Sequence, residues 1–201
     1  KELSGLLDLG SQSFETFDFD YYSPLPDSEL GISPRALMKR VYESAVSYAR
    51  TFSTASESLL FMGATGLGKT LLSGCIARAV ADRGYSVCYV SAGKLFSDFE
   101  TEKFRLKEDG ALTGEYLQTD LLIIDDLGTE MTTQFTVSAL YQIVNGRLLS
   151  GKPTIVSTNL PDTELEARYS AQIASRLLGA YTLYQFCGTD VRLLRKMESR
   201  G

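Results

Sequence analysis

Residues 63–70 of this 201-residue chain read Gly-Ala-Thr-Gly-Leu-Gly-Lys-Thr, between an apolar run and an amphipathic segment. Glycines at these spacings allow the backbone to turn tightly, so that successive N–H groups point at phosphate oxygens. A helix that begins beside the last glycine adds the positive end of its dipole. The segment therefore predicts a phosphate-binding loop. The alternative, an ordinary glycine-rich turn with an exposed lysine, would not require the strand and helix around it.

Two side chains of this loop have separate chemical tasks. The Lys69 ammonium would reach the β- and γ-phosphates, and the Thr70 hydroxyl would hold Mg²⁺. Contacts with ATP or ADP are expected from the loop and the residue after it: Gly63, Ala64, Thr65, Gly66, Leu67, Gly68, Lys69, Thr70 and Leu71.

Apolar runs alternate with helical patterns along the chain, which indicates an α/β fold with a parallel sheet between helices. A first helix should begin at Ser33-Pro34, because serine caps helices and proline is tolerated in the first turn. Its apolar face would be Leu37, Val41, Ala45, Tyr48 and Phe52. Five strands are predicted at 58–62, 86–90, 120–125, 153–158 and 182–186, and further helices at 69–83, 92–108, 132–149 and 163–178.

Composition excludes several classes of protein and of active site. The chain has no histidine, which removes histidine bases, histidine metal sites and Ser-His-Asp triads. The net charge of −5 disfavours nucleic-acid binding through bulk positive charge. Three widely spaced cysteines indicate reduced thiols in a cytoplasmic protein, and no apolar stretch is long enough for a membrane span. Because the first residue is Lys1, we expect an N-terminal region to precede this sequence.

A pair of acids ends the third predicted strand, in the sequence LLIIDDLG. The carboxyl ends of parallel strands line the ligand crevice, where a carboxylate can bind the Mg²⁺ carried by a nucleotide. We assign Asp125 to Mg²⁺ and Asp126 to the attacking water. Glu130, four residues downstream of Asp126, is a second candidate for the base. The alternative is that the pair caps the following helix.

Several segments together resemble the AAA+ ATPases, and within them the DnaC/DnaI-type helicase loaders and the related IstB-like transposition ATPases. The resemblance covers most of the chain, from Phe14 to Lys196. It implies an AAA+ domain at 33–201 with a short or absent helical lid. Residues 1–32 have no clear periodicity and are predicted to form an extended lead-in. The segments that carry it are FETFDF at 14–19, GATGLGKT at 63–70, DLLIIDDLGTE at 120–130, NGR at 145–147, KPTIVSTNL at 152–160, ASRLLG at 174–179 and GTDVR at 188–192.

The resemblance also implies roles for three polar residues. Asn159 is similar to sensor 1, which orients the attacking water, although it could also be a turn residue. Arg176 is similar to an arginine finger, which acts on ATP bound by a neighbouring subunit; the alternative is an ordinary surface arginine. Arg192 is similar to an arginine that touches the γ-phosphate in the same subunit.

Two other segments allow alternative interpretations. Arg147 could serve a subunit interface or cap its own helix. The aromatic lead-in resembles a segment that packs near adenine, but Phe14 and Phe17 fit plain core packing equally well.

The acidic pair departs from the family pattern. Most AAA+ modules have Asp-Glu where this chain has Asp125-Asp126, which suggests slow hydrolysis.

The function implied is that of a Mg²⁺-dependent ATPase domain of a replicative-helicase loader, with the helicase, single-stranded DNA and further copies of itself as partners. The alternatives are a transposition ATPase that assembles on DNA and recruits a transposase, and a nucleotide-dependent scaffold with negligible catalysis. Possible DNA contacts are Lys94, Lys103, Arg105 and Lys107. Because acidic residues are interleaved with them, a solvated helix face fits this stretch better.

Overall fold

The computed structural model describes residues 3–4, 13–28, 31–104 and 111–198. Its strands are β1 (Leu3–Ser4), β2 (Leu59–Met62), β3 (Val87–Ser91), β4 (Leu121–Leu127), β5 (Thr154–Thr158) and β6 (Thr182–Gln185). They form one sheet in the order β1-β3-β4-β5-β2-β6, and every described pair is parallel. The five predicted strands are all present. The two-residue β1, in the lead-in, adds an edge strand that the sequence did not predict.

Helices connect the strands and follow the last of them. They are α1 (Pro34–Thr51), α2 (Lys69–Asp82), α3 (Ala92–Phe104), α4 (Ala111–Gln118), α5 (Gln134–Leu149), α6 (Asp162–Tyr169), α7 (Ala171–Ala180) and α8 (Val191–Glu198). As predicted, the Ser33 hydroxyl caps α1 by accepting a hydrogen bond from the Ala36 N–H at 3.2 Å. In the described part of the chain no helix combines the length and apolarity needed to cross a membrane.

Each face of the sheet carries its own apolar cluster, because successive side chains of a strand point to opposite faces. Leu60 and Ile124 pack with α3, α5 and α7 on one face. Leu59 and Ile123 pack with α1 and α2 on the other. The prediction of a parallel sheet covered on both faces is therefore confirmed.

The helices differ from the prediction in four places. The helix predicted at 163–178 is two helices, because Ser170 has a φ of 98°, which helical backbone does not allow. On α1 the fully buried residue near the start is Met38, whereas Leu37 is only partly buried. The helices α4 and α8 were not predicted. The end of the helix predicted at 92–108 is not a further difference, since it lies outside the described residues.

Arg147, in the last turn of α5, is completely buried. Its guanidinium donates hydrogen bonds to the carbonyl oxygens of Tyr116, Thr119 and Pro153 at 2.8, 3.0 and 2.6 Å, and to the Thr154 hydroxyl at 2.8 Å. Burial lowers the pKa of the guanidinium to about 10, so it remains a cation at neutral pH.

This position corrects both sequence-based interpretations of Arg147. A side chain without exposed surface cannot serve a subunit interface. It does not cap its own helix either, because its partners lie at the C-terminal end of α4 and at the start of β5. The end of α4 is a favourable place for a cation, since helix carbonyls concentrate negative charge there. Arg147 therefore joins three elements inside the domain.

We predict that Arg147→Met lowers the free energy of unfolding by about 3 kcal/mol or more, because each buried acceptor left without a donor costs about 1–3 kcal/mol. Urea denaturation would measure the change. Arg50→Met is the matched control, since Arg50 is an exposed arginine in the last turn of α1. It should change stability by less than about 0.5 kcal/mol. Equal losses in the two variants would contradict the structural role of Arg147.

Candidate functional site

A cavity of about 360 Å³ lies over the phosphate loop. Four parts of the chain line it: residues of the loop itself, the aromatic lead-in, Asp126 at the end of β4, and the first turns of α8. The loop follows β2 and runs into α2, so the strand-loop-helix context predicted from the sequence is present.

The loop backbone is closed in by distant segments. Gly63 has a φ of 151°, and a Cβ there would lie 2.4 Å from the Phe186 carbonyl oxygen. Gly66 has a φ of 79°, and a Cβ there would lie 1.9 Å from the Asp190 carboxylate. A side chain at Gly63 would meet the Phe186 backbone, and one at Gly66 would have to displace the Asp190 carboxylate, so both positions favour glycine.

Lys69 is 5% exposed, and its ammonium donates hydrogen bonds to the carbonyl oxygens of Gly63 and Ala64 at 2.6 and 2.8 Å. Burial lowers the pKa of Lys69, and the carboxylates of Asp126 and Asp125 oppose this effect. The ammonium therefore lies within the loop, where phosphate oxygens would replace the two carbonyl acceptors.

The two acids occupy a bulge in β4. Ile124 pairs with Val156 and Leu127 with Thr158, so Asp125 and Asp126 together face one residue of β5. Asp125 is buried, whereas Asp126 has a φ of 56° and lines the cavity. A bulge redirects side chains in this way, and aspartate is among the residues that tolerate such a backbone.

The pKa of Asp126 is raised above its usual range. Although the residue as a whole is exposed, its carboxyl group is partly desolvated, and the neighbouring Asp125 carboxylate adds to the shift. Lys69 and Arg192 act in the opposite direction. One anionic neighbour and two cations thus act on the pKa of Asp126 in opposite directions.

The lead-in forms one wall of the cavity. The Tyr22 hydroxyl donates a hydrogen bond to the Leu67 carbonyl oxygen at 2.8 Å, and Phe17 stacks on Tyr22 with ring centroids 5.8 Å apart. Both residues line the cavity and also belong to the apolar core. Phe14 instead packs edge-on against Tyr42 at 5.6 Å. The sequence left open whether Phe14 and Phe17 pack near adenine or in the core. Phe17 does line the cavity, whereas Phe14 packs against Tyr42 behind it.

The beginning of α8 is tied directly to the loop. The Val191 N–H donates a hydrogen bond to the Gly66 carbonyl oxygen at 3.0 Å, and the Arg192 N–H donates one to Asp190 at 2.9 Å. Arg192 and Arg195 both line the cavity. The sequence pointed to Arg192 through the GTDVR segment, but it gave no signal for Arg195, since α8 was not predicted.

Glu130 and Asn159 are not among the residues that line this cavity. The Glu130 carboxylate accepts hydrogen bonds from the Gly128 N–H, at 3.0 Å, and from the Tyr169 hydroxyl. Both of its oxygens therefore hold the loop after β4 to α6. Asn159 is exposed and follows the last residue of β5 directly.

Arg176 is held against α5 within its own subunit. Its guanidinium donates hydrogen bonds to the Asn145 side-chain oxygen at 3.0 Å and to the Tyr141 hydroxyl at 3.1 Å, and it lies 4.8 Å from the centre of the Tyr141 ring. It does not line the cavity of its own chain. Its role in a neighbouring site remains a prediction.

The described lysines of the predicted basic stretch both contact neighbouring side chains. Lys94 forms an ion pair with Asp98, and the Lys103 ammonium lies 5.0 Å from the centre of the Phe135 ring. Arg105 and Lys107 lie outside the described residues.

A family model described as IstB-like ATP binding protein matches residues 13–182. A Mycobacterium tuberculosis insertion-sequence protein, named as ATP-binding, is 29% identical over 147 residues, which cover 73% of this chain and 53% of that protein. The replicative helicase loader DnaC of Escherichia coli K12 is 27% identical over 135 residues, which cover 66% of this chain and 55% of the loader. The chain thus spans about half the length of these two relatives.

Solved structures share the fold. The crystal structure of the DnaC helicase loader superimposes with a TM-score of 0.74 at 18% identity, over 89% of this chain and 98% of that one. The replication initiator DnaA bound to AMPPCP and single-stranded DNA superimposes with a TM-score of 0.68 at 20% identity, over 94% of this chain and 55% of that one. The fold is that of the AAA+ P-loop ATPases, and the chain belongs to the IstB-like ATP-binding protein family.

Proposed function

We propose that this domain binds ATP with Mg²⁺ in the cavity over the phosphate loop and hydrolyses it slowly. The observation that carries the proposal is the convergence of Lys69, Thr70, Asp126 and Arg192 on one cavity. Two cations, a hydroxyl and a carboxylate are the groups that bind a triphosphate, its metal ion and a water molecule. The cavity volume of about 360 Å³ lies in the range of small-molecule sites.

The oxygen donors beside the loop suit Mg²⁺. This ion binds through one or two protein oxygens together with phosphate oxygens of the substrate. Thr70 would supply a hydroxyl and Asp125 a carboxylate. Bound there, Mg²⁺ would neutralise charge on the phosphates as the terminal bond breaks.

Asp126 is better placed than Glu130 to accept a proton from the attacking water, because it faces the cavity and both Glu130 oxygens are engaged in the loop. A raised pKa makes the Asp126 carboxylate a stronger base than an ordinary aspartate. Asn159, at the carboxyl end of β5, would orient the same water from the neighbouring strand. The reach of Asp126 is one methylene shorter than that of glutamate, which favours slow hydrolysis.

Arg176 would complete the site of a neighbouring subunit. The Asn145 side-chain oxygen and the Tyr141 hydroxyl on α5, and the Gln172 carbonyl oxygen on α7, each accept a hydrogen bond from its guanidinium, and the side chain stays partly exposed. A positive charge added to the γ-phosphate from a second subunit would make hydrolysis depend on self-association.

For the whole protein we propose a role in loading a replicative DNA helicase onto single-stranded DNA in the cytoplasm. The support is the similarity to DnaC and a net charge of −5, which favours weak intrinsic affinity for duplex DNA. The second candidate is a transposition ATPase that assembles on duplex DNA, which the family model and the insertion-sequence relative favour.

We predict that Lys69→Ala abolishes ATP binding and leaves the fold intact, because the ammonium compensates phosphate charge. Fluorescent ATP would report affinity, and thermal unfolding would report the fold. Lys152→Ala is the matched control, because this lysine lies just before β5, at the other end of the strand, and donates a hydrogen bond to the Gln118 carbonyl oxygen. This variant should bind ATP normally. Normal affinity in the Lys69 variant would exclude this site.

We predict that Asp126→Asn keeps ATP binding but slows hydrolysis by roughly 10²- to 10⁴-fold, the range for loss of a general base. Glu130→Gln should hydrolyse ATP at a rate near that of the unmodified protein. Single-turnover assays of phosphate release would measure both. If Glu130→Gln loses activity and Asp126→Asn does not, Glu130 is the base. If the unmodified protein binds ATP without hydrolysing it, the scaffold interpretation holds.

We predict that hydrolysis per subunit rises with protein concentration or on single-stranded DNA, because an arginine supplied in trans contributes roughly 10³- to 10⁵-fold. Arg176→Ala should keep ATP affinity and lose this stimulation. Mixing it with Lys69→Ala should restore part of the activity, since each variant supplies what the other lacks. Co-assembled mixtures that stay inactive would exclude action in trans. Stimulation by duplex DNA alone would favour the transposition role.

A further inference from the structure

Ser157 lies near the end of β5 and is fully buried. Its hydroxyl donates a hydrogen bond to the Asp125 carboxylate. The same oxygen accepts a hydrogen bond from the Asp126 backbone N–H at 2.9 Å. One side chain therefore contacts both members of the acidic pair, the first through its carboxylate and the second through its backbone.

The bulge explains why a side chain is needed at this place. Asp125 and Asp126 together face Ser157, so the regular ladder of backbone hydrogen bonds is interrupted there. Without this hydroxyl the Asp126 N–H would lack an acceptor in β5, and a backbone N–H that is partly buried without an acceptor is unfavourable. The Ser157 hydroxyl supplies that acceptor and fixes Asp126 in the backbone conformation that turns its carboxylate into the cavity.

The hydroxyl also joins a polar network that reaches the phosphate loop. Tyr89, on β3, lies next to Asp125, and the carboxylate raises the pKa of its hydroxyl beyond the effect of burial. The Tyr89 hydroxyl lies 3.0 Å from that of Ser73, which donates a hydrogen bond to the Thr70 carbonyl oxygen at 3.1 Å. The buried hydroxyl groups of Tyr89 and Ser73 thus lie beside the Thr70 backbone.

We propose that Ser157 is the positioning residue of the acidic pair: it orients the Asp125 carboxylate for the metal ion and holds the Asp126 bulge in the arrangement that aims its carboxylate at the attacking water. The proposal rests on the function proposed above, and it assigns to β5 a second task beside that of Asn159. Neither the phosphate loop nor the acidic motif indicates Ser157.

The test compares Ser157→Ala with Ser58→Ala. Ser58 is also a buried serine with a hydrogen bond to β5, where it accepts from the Thr154 N–H at 3.0 Å, but it lies at the opposite end of that strand. Both variants make the same chemical change and both can lose some stability, which urea denaturation would measure. Only Ser157→Ala should affect the site.

The first measurement is the affinity of the ADP-loaded protein for Mn²⁺. The electron paramagnetic resonance signal of free Mn²⁺ reports how much of the ion is bound. Loss of a group that orients a metal ligand costs roughly 10- to 100-fold in metal affinity. We expect a weakening of that size for Ser157→Ala, less than twofold for Ser58→Ala, and recovery in Ser157→Thr, which keeps the hydroxyl. ADP affinity measured in EDTA should be the same in all three variants.

The second measurement is single-turnover ATP hydrolysis at saturating Mg²⁺, where Ser157→Ala should remain about tenfold or more below the unmodified protein. Unchanged Mn²⁺ affinity would overturn the link to Asp125, and an unchanged rate would overturn the link to Asp126. Failure of the underlying function has a different signature: Asp125→Asn would then leave Mn²⁺ affinity unchanged, or the unmodified protein would not bind ADP.

Discussion

The site depends on a backbone turn with two crowded glycine positions. At Gly63 and Gly66 the atoms of Phe186 and Asp190 occupy the space that a Cβ would need. Three segments therefore close on the loop from different parts of the chain: the lead-in through Tyr22, the end of β6 through Phe186, and the start of α8 through Val191. The loop shape and the position of these segments determine each other, which is why the residues that line the cavity come from both ends of the described chain.

The pairing of β4 with β5 determines where the carboxylates of Asp125 and Asp126 lie. An acidic pair on one strand would normally place its two side chains on opposite faces. Here the bulge and Ser157 separate the two carboxylates differently, with Asp125 buried and Asp126 in the cavity. This separation gives two chemically similar residues different surroundings, which suits the proposed division into a metal ligand and a proton acceptor.

The NGR segment at 145–147 contributes two residues that contact other elements of the fold. Asn145 holds Arg176 on α7, and Arg147 binds the end of α4 and the start of β5. Both residues lie on α5, so one helix fixes an arginine that is partly exposed and supplies another that is fully buried. An arginine can do either because it is always charged and its donors lie in a rigid plane, so that only the acceptors around it differ.

The sequence by itself determined the phosphate loop, the five main strands and the acidic pair. Each of these follows from local chemistry: glycines that permit a turn, apolar runs that require burial, and carboxylates at a strand end. It also indicated Arg192 through its resemblance to a family. It did not reveal Ser157, Arg195 or the partners of Arg147, since a lone serine in a strand or an arginine in a helix has many possible neighbours.

Only the tertiary structure decided which of these residues meet. Ser157 and Asp126 are 31 residues apart, and Arg147 and Tyr116 are also separated by 31. Their hydrogen bonds exist because β5 lies between β4 and β2 and because the last turn of α5 packs against the end of α4. Such adjacency is set by the burial of both sheet faces at once. Local chemistry thus specifies the groups a nucleotide needs, while long-range packing specifies how they are aimed.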